Sequence, residues 1–303
     1  MGWEQALRKW TAPRREFGAG SDVSAEGRPN LRVVRSASVC VASGKGGTGK
    51  TVLAASLAEL LSTRGRTLIV DADMGVGNAH ILQDKSPHYS FVDVVAGRCD
   101  VGAARVRCSP ELDLIGGGSG VSQMSALGPR ELRSIAHGLS EIEDEYDFVL
   151  VDSGAGISEQ TVGFAAACDV VLVVTTPDLT AMTDAYAFIK VLHARRPELV
   201  PLLAVNRVVR EDGPEHDGPH VAERIGRVCQ KFLGLAPKPI GWVPDDRAVA
   251  RSVAARRSVV AAAPDCEAAT SLRALTDVIL EELSGTPRRG LGRSLVRQVG
   301  PAS

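Results

Sequence analysis

The 303-residue sequence predicts an α/β fold, with a doubly wound, mostly parallel sheet. Three observations predict it. Seven short runs rich in β-branched residues recur along the chain, and segments of helical periodicity separate them. The first run meets the first helical segment at a turn that holds four glycines.

In chain order, residues 1–36 mix Pro13, Gly18, Gly20, Gly27 and Pro29 with scattered charges. After a short helix over residues 4–10 they read as a flexible N-terminal extension. The apolar runs follow: SVCVAS (38–43), TLIVDAD (67–73), LDLIGG (112–117), DFVLVDS (147–153), DVVLVVTT (169–176), PLLAVN (201–206) and PIGWVP (239–244). They are continuous rather than alternating, as expected for strands buried on both faces. Val52, Leu53, Leu57, Leu60 and Leu61 mark a helix over 51–62. Leu132, Ile135, Leu139 and Ile142 mark another after Pro129, a good first-turn residue. SGTPRRG (284–290) reads as a linker. The expected organisation is an extension over 1–36, an α/β domain over 37–284 and a short basic tail over 285–303.

Net charge is −1, which excludes a molecule built as a whole to coat nucleic acid, but the charge is unevenly placed. Residues 1–36 carry +3 and residues 285–303 carry +4, leaving −8 for the body. Basic ends on an acidic body hint that an end touches something anionic. The six cysteines form no C-x-x-C and read as small apolar residues of a reducing compartment. No apolar run is long enough to span a bilayer, and MGWEQALRKW places charges where a signal peptide needs an apolar stretch. A cytoplasmic location is expected. His216 and His220 lie in a loop pattern, and Gly116–Gly118 read as a turn after a strand.

Gly44-Lys45-Gly46-Gly47-Thr48-Gly49-Lys50-Thr51 fits G-x-x-x-x-G-K-[ST] between a predicted strand and a predicted helix. Glycines let successive backbone N–H groups face a phosphate, and the helix N-terminus favours negative charge. Lys50 then serves the β/γ-phosphates of ATP, and Thr51 serves Mg²⁺. One lysine suffices for that task, yet the stretch carries a second, Lys45.

With Lys45, KGGTGKT resembles the deviant Walker A motif of the MinD/ParA family of P-loop ATPases. Five further stretches continue the resemblance in the family's order. VDADMGVGN (70–78) is similar to switch I, and YDFVLVDSGAGIS (146–158) to Walker B with switch II. VVTTPDLTAMTDAYAFIK (173–190) is similar to the dimer-interface segment, and AVNRV (204–208) and WVPDD (242–246) to the stretches around the adenine. The resemblance implies a slow ATPase acting as a switch, with ATP and Mg²⁺ as cofactors and an ATP-dependent homodimer. It implies that Asp152 holds Mg²⁺ through water and that Asp73 orients the attacking water, supported by Asp71. It further implies that Gly154 senses the γ-phosphate, and that Asn206, Pro244 and Asp246 border the nucleotide. Lys45 would reach the partner's nucleotide, and Asp184 would hold it in the resting monomer.

Within the family, the missing paired cysteines argue against metal-cluster carriers. A Tyr-rich tail is also missing, the only tyrosines being Tyr89, Tyr146 and Tyr186. VDSGAGIS and DADMGVGNAHIL are most similar to FlhG (FleN)-like regulators of flagellar number and placement. Glu4-Gln5-Ala6-Leu7-Arg8 partly resembles the motif with which those proteins engage an FlhF-like GTPase. A ParA-like DNA-partitioning ATPase and an amide-forming enzyme of the same fold are the alternatives. On a helix, Leu291, Leu295, Val296 and Val299 fall within about 140° of arc with Arg293 and Arg297 outside it. That pattern resembles a basic amphipathic tail for peripheral membrane binding on the inner face of the cell membrane.

Overall fold

In a computed structural model, the structure describes residues 36–74, 77–118, 128–209 and 217–299. The fold is the expected one. Eight strands form one sheet in the order β3-β4-β2-β5-β1-β6-β7-β8. They are β1 (Ala37–Ser43), β2 (Thr67–Ala72), β3 (Arg105–Ser109), β4 (Leu112–Ile115), β5 (Phe148–Ala155), β6 (Val170–Thr175), β7 (Leu202–Val208) and β8 (Lys238–Pro244). Every pairing is parallel except that of the edge strand β3 with β4. Strand β3 is the one strand that apolar runs do not reveal. Its sequence RVRCS is half-exposed, and Arg107 pairs with Asp113 across the hairpin. Charge on an edge strand discourages further pairing.

The central strands are continuous apolar runs because both their faces are covered. On β1, Cys40 and Ala42 belong to one core and Val39 and Val41 to the other. The second core is filled by α1 (Lys50–Ser62) and α9 (Glu267–Gly285), with α7 (Arg247–Ala254) and α8 (Val259–Ala262) beside them. The first is filled by α3 (Pro129–Ile142), α4 (Glu159–Ala167), α5 (Leu179–Arg195) and α6 (Gly218–Leu233), with the short α2 (Phe91–Val95) at its margin. Helix α3 starts at Pro129 and buries Ile135, Leu139 and Ile142, as its spacing predicts. Strand β1 lies between β5 and β6, so successive connections leave it in opposite directions. The crevice beyond its C-terminal end is the switch point at which doubly wound sheets bind ligands.

The chain end departs from the expectation of a free tail. Residues Leu291–Val299 form α10, which packs on α3 and α4. Leu291 and Leu295 are fully buried in the first core, and Val296 packs against it. Gly292 lets the helix press so closely on α3 that a methyl group there would lie 2.2 Å from the Ser140 nitrogen. The buried Glu143 carboxylate accepts the Gly292 N–H (2.8 Å) at the positive end of α10, and Arg293 pairs with Asp144 (2.5 Å). The apolar arc seen in the sequence is therefore real but faces the protein, so in this state it offers no anchor to a bilayer. The physical reason is that α3 and α4 leave an apolar groove that Leu291 and Leu295 fill. Leu295→Ala is expected to lower the unfolding free energy by about 2–4 kcal/mol in urea denaturation. A free tail would show no change.

Candidate functional site

The glycine-rich loop runs from the C-terminal end of β1 into α1. Gly47 (φ 82°) and Gly49 (φ 85°) adopt left-handed backbone, and Gly49 is the N-cap of α1. Two side chains brace the loop. Ser43 donates to the Lys45 carbonyl (2.9 Å), and Asn206 donates to the Thr48 carbonyl (2.7 Å). A methyl group at Gly49 would lie 2.3 Å from Asn206 Nδ2. Asn206, expected beside the nucleotide, thus acts on the loop itself. Gly44 admits a second close approach, since a methyl group there would lie 1.9 Å from the Asp184 carbonyl oxygen.

Beneath the loop Lys50 meets Asp152 at 2.6 Å, with both side chains nearly inaccessible. Asp152 sits on β5 between Val41 of β1 and Asp71 of β2. Burial raises its carboxyl above the usual carboxylate range, against the opposing effect of Lys50. Asp71 is pushed up to about 7, first by burial and then by the Asp152 charge. It accepts the Ala79 and Asp73 N–H groups (3.1 Å each), which shapes the turn after β2. Gly154 brings the end of β5 close to the end of β2: a methyl group on it would lie 4.0 Å from the Asp73 carboxyl carbon. Gly156 N–H donates to the Ser43 carbonyl (3.0 Å), tying the segment after β5 to the start of the glycine-rich loop. Gly117, read in sequence as part of a plain turn, packs 2.6 Å from the Asp73 carbonyl by the same measure.

Two buried oxygens test whether the site fits a metal-bound nucleotide. Among the described residues, Thr48 Oγ1 and Asp152 Oδ2 are buried without a hydrogen-bond partner. Orphaned buried acceptors of this kind call for a ligand or water. The Thr51 hydroxyl lies 3.5 Å from the Lys50 ammonium, which also donates to Asp152. The hydroxyl-carboxylate pair suits Mg²⁺, a hard cation with oxygen ligands, and the loop suits a phosphate.

Above the loop opens a cleft of about 430 Å³, lined by Lys45–Thr48, by Asp178 at the start of α5 and by Arg207, Val209 and Asp245 on the far side. Arg207 holds a left-handed backbone (φ 57°) there, an uncommon conformation for its type. Two expectations change. Of the two neighbouring acids Asp245 and Asp246, it is Asp245 that lines the cleft. Asp246 is instead the N-cap of α7, accepting from Ala248 N (2.8 Å) and Ala268 N (3.4 Å), while Pro244 is buried at the end of β8. Lys45 does not rest on Asp184. It donates to Asp178 (3.0 Å) and to the Thr180 hydroxyl, because Asp184 lies a turn and a half further along α5, where its backbone meets Gly44. Asp178-Leu179-Thr180 carries a sequence signal that points to this, an N-cap aspartate at the start of a helix. His220 lies near the start of α6, whereas His216 and the motif at residues 4–8 fall outside the described residues.

Fold and loop together define a P-loop nucleotide-binding protein. A family profile described as an AAA domain matches residues 36–203. The antiactivator FleN of Pseudomonas aeruginosa is 30% identical over 242 residues, 80% of this chain and 85% of that protein. The flagellum site-determining protein YlxH of Helicobacter pylori is 29% identical over 84% and 86% of the two chains. The structure of the septum site-determining protein MinD from Pyrococcus horikoshii, complexed with Mg-ADP, superposes with a TM-score of 0.69. It covers 82% of this chain and 98% of that one at 21% identity, a likeness of fold. The chain belongs to the MinD/ParA family of P-loop ATPases. No described helix is long and apolar enough to cross a membrane.

Removing one partner of a buried ion pair strands the other. Lys50→Met is expected to cost about 3–5 kcal/mol of stability in nucleotide-free urea denaturation, and adding Asp152→Asn to recover most of it.

Proposed function

We propose that the chain is an ATP-hydrolysing switch whose ATP-bound form is a homodimer, and that it acts on the number or placement of flagella. The observation that carries the switch is the division of labour between two lysines of one loop. Lys50 is buried against Asp152, and Lys45 is half-exposed at the rim of the cleft. The first is placed to serve its own chain's phosphates. The second has a side chain free to reach outward, the role of a cation supplied in trans.

The loop N–H groups and Lys50 bind the triphosphate. Bound Mg²⁺ would neutralise phosphate charge, and Thr51 with Asp152, through water, are the residues that would hold it. Asp73 orients the attacking water, with Asp71 fixing the turn that presents it. Gly154 and the Gly156–Ser43 hydrogen bond pass the state of the phosphate to switch II. The flagellar assignment rests on FleN and YlxH, whose names describe an antiactivator and a flagellum site-determining protein. Residues 4–8 are the segment proposed to engage a partner GTPase.

Light scattering with ATP or ADP tests the switch. Wild type is expected to be dimeric with ATP and monomeric with ADP, and Lys45→Ala monomeric with both. Equal mass with both nucleotides would refute the switch. In cells, deletion of the gene is expected to change flagellar number or position; an unaltered pattern would remove that part of the reading.

A further inference from the structure

We infer that Gly117, just past the end of β4, is a positioning residue for ATP hydrolysis. It is the stop against which the Asp73 backbone rests, and it sets where the Asp73 carboxylate lies. This rests on the reading of Asp73 as the group that orients the attacking water, and adds the residue that fixes its place.

Sheet order puts Asp73 between two glycines. Strand β2 lies between β4 and β5, so the turn that leaves it is flanked by Gly117 on one side and Gly154 on the other. A methyl group at Gly154 would lie 4.0 Å from the Asp73 carboxyl carbon, an ordinary contact. One at Gly117 would lie 2.6 Å from the Asp73 carbonyl oxygen, 2.9 Å from that of Asp71 and 3.1 Å from the Asp73 carbonyl carbon. Gly118 needs its glycine for left-handed backbone (φ 106°), but Gly117 is not left-handed. Space alone demands the glycine at 117.

Which side yields to a larger residue decides the consequence. The end of β4 is braced. Leu114 and Ile115 pair with Ile69 and Val70 of β2, and the Gly116 carbonyl accepts the Phe91 N–H (3.0 Å) at the start of α2. Behind it, a methyl group at Gly118 would already lie 2.3 Å from a Val92 methyl. Helix α2 is in turn closed by a capping box between Ser90 and Asp93. The turn after β2 is held more lightly, by the Asp73 and Ala79 N–H groups on the Asp71 carboxylate (3.1 Å each). A side chain at 117 therefore displaces the Asp73 peptide, by about 1 Å, and carries its carboxylate along. The three atoms nearest that side chain all belong to Asp71 and Asp73, so the phosphate loop and the Lys50–Asp152 pair stay in place.

Gly116 supplies the control. It is as buried as Gly117 and is not left-handed, yet a methyl group there would meet Pro87 alone, at 3.5 Å. Gly117→Ala is expected to lower the single-turnover rate of ATP hydrolysis by about 10- to 100-fold, with unchanged ATP affinity in equilibrium titration. Gly116→Ala is expected to match wild type in both. In an Asp73→Asn background, Gly117→Ala is expected to lower the rate no further. A wild-type rate for Gly117→Ala would overturn the inference, as would a fall by the same factor in the Asp73→Asn background or a loss of ATP affinity as large as the loss of rate. If Gly117→Ala does not fold, Gly77→Ala is read by the same criteria, since a methyl group there presses on the same carbonyl oxygen (2.9 Å) and on the Asp71 carboxylate (2.6 Å). Asp73→Asn hydrolysing ATP at the wild-type rate would overturn the reading of Asp73 itself, whereas a slow Asp73→Asn beside a wild-type Gly117→Ala would overturn the role of Gly117 alone.

Discussion

One ammonium among carboxylates is the constraint on which the rest of this structure depends. Lys50 is buried and touches Asp152, Asp71 stands one strand away, and Asp73 follows two residues later. Sheet order brings these groups together, because β5 lies between β1 and β2 and places Asp152 beside both the phosphate loop and Asp71. Burial raises Asp152 and Asp71 alike, which means that one lysine does not offset the cost of ionising both. A divalent cation would relieve that imbalance, and Asp152 Oδ2 is a buried acceptor with no described partner.

The loop above this pair is held from three directions. Asn206 comes from β7 and Ser43 from β1, while the backbone of α5 presses on Gly44. The segment after β5 is tied to the loop by the Gly156–Ser43 hydrogen bond and to the end of β2 by Gln160, which donates to the Ala72 carbonyl (3.4 Å). Whatever displaces that segment must therefore act on the ends of β1 and β2 together. That is the arrangement a two-state element needs if a change at the phosphate is to be felt at the surface.

Much of this was legible in the sequence, for reasons that differ between elements. Strands β1, β2, β4, β5, β6 and β7 announce themselves because a strand covered on both faces must be apolar throughout, and the edge strand β8 keeps enough apolar residues to be read as well. The phosphate loop is legible because left-handed backbone and close approach demand glycine at fixed positions. Strand β3 was not legible, since an edge strand held by Arg107 and Asp113 carries no apolar run. Nor was the partner of Lys45. Resemblance pointed to Asp184, whereas the contact is set by where α5 begins, and Asp178 is its cap. The exchange of Asp246 for Asp245 on the cleft wall has the same origin, because a helix start captured the carboxylate. In the first case the capping acid itself faces the site, and in the second the cap takes its acid away and leaves the neighbour there. The fate of the last helix was the least legible. An apolar arc beside arginines is the same pattern whether it meets lipid or α3 and α4, and only the groove between those helices distinguishes the two.

The two ends of the sheet consequently carry different burdens. At the C-terminal ends of the strands lie the loop, the carboxylates and the switches, where polar atoms are left without partners. At the opposite end Asp169 has both oxygens engaged. One accepts Ser38 N and Oγ (2.8 Å each) at the start of β1, and the other accepts Arg289 N (2.8 Å) just before α10. A single buried carboxylate therefore fastens the strand that feeds the phosphate loop to the segment that leads into the last helix. With its base held in this way, β1 can present a loop of four glycines, two of which take the left-handed backbone that glycine adopts without strain.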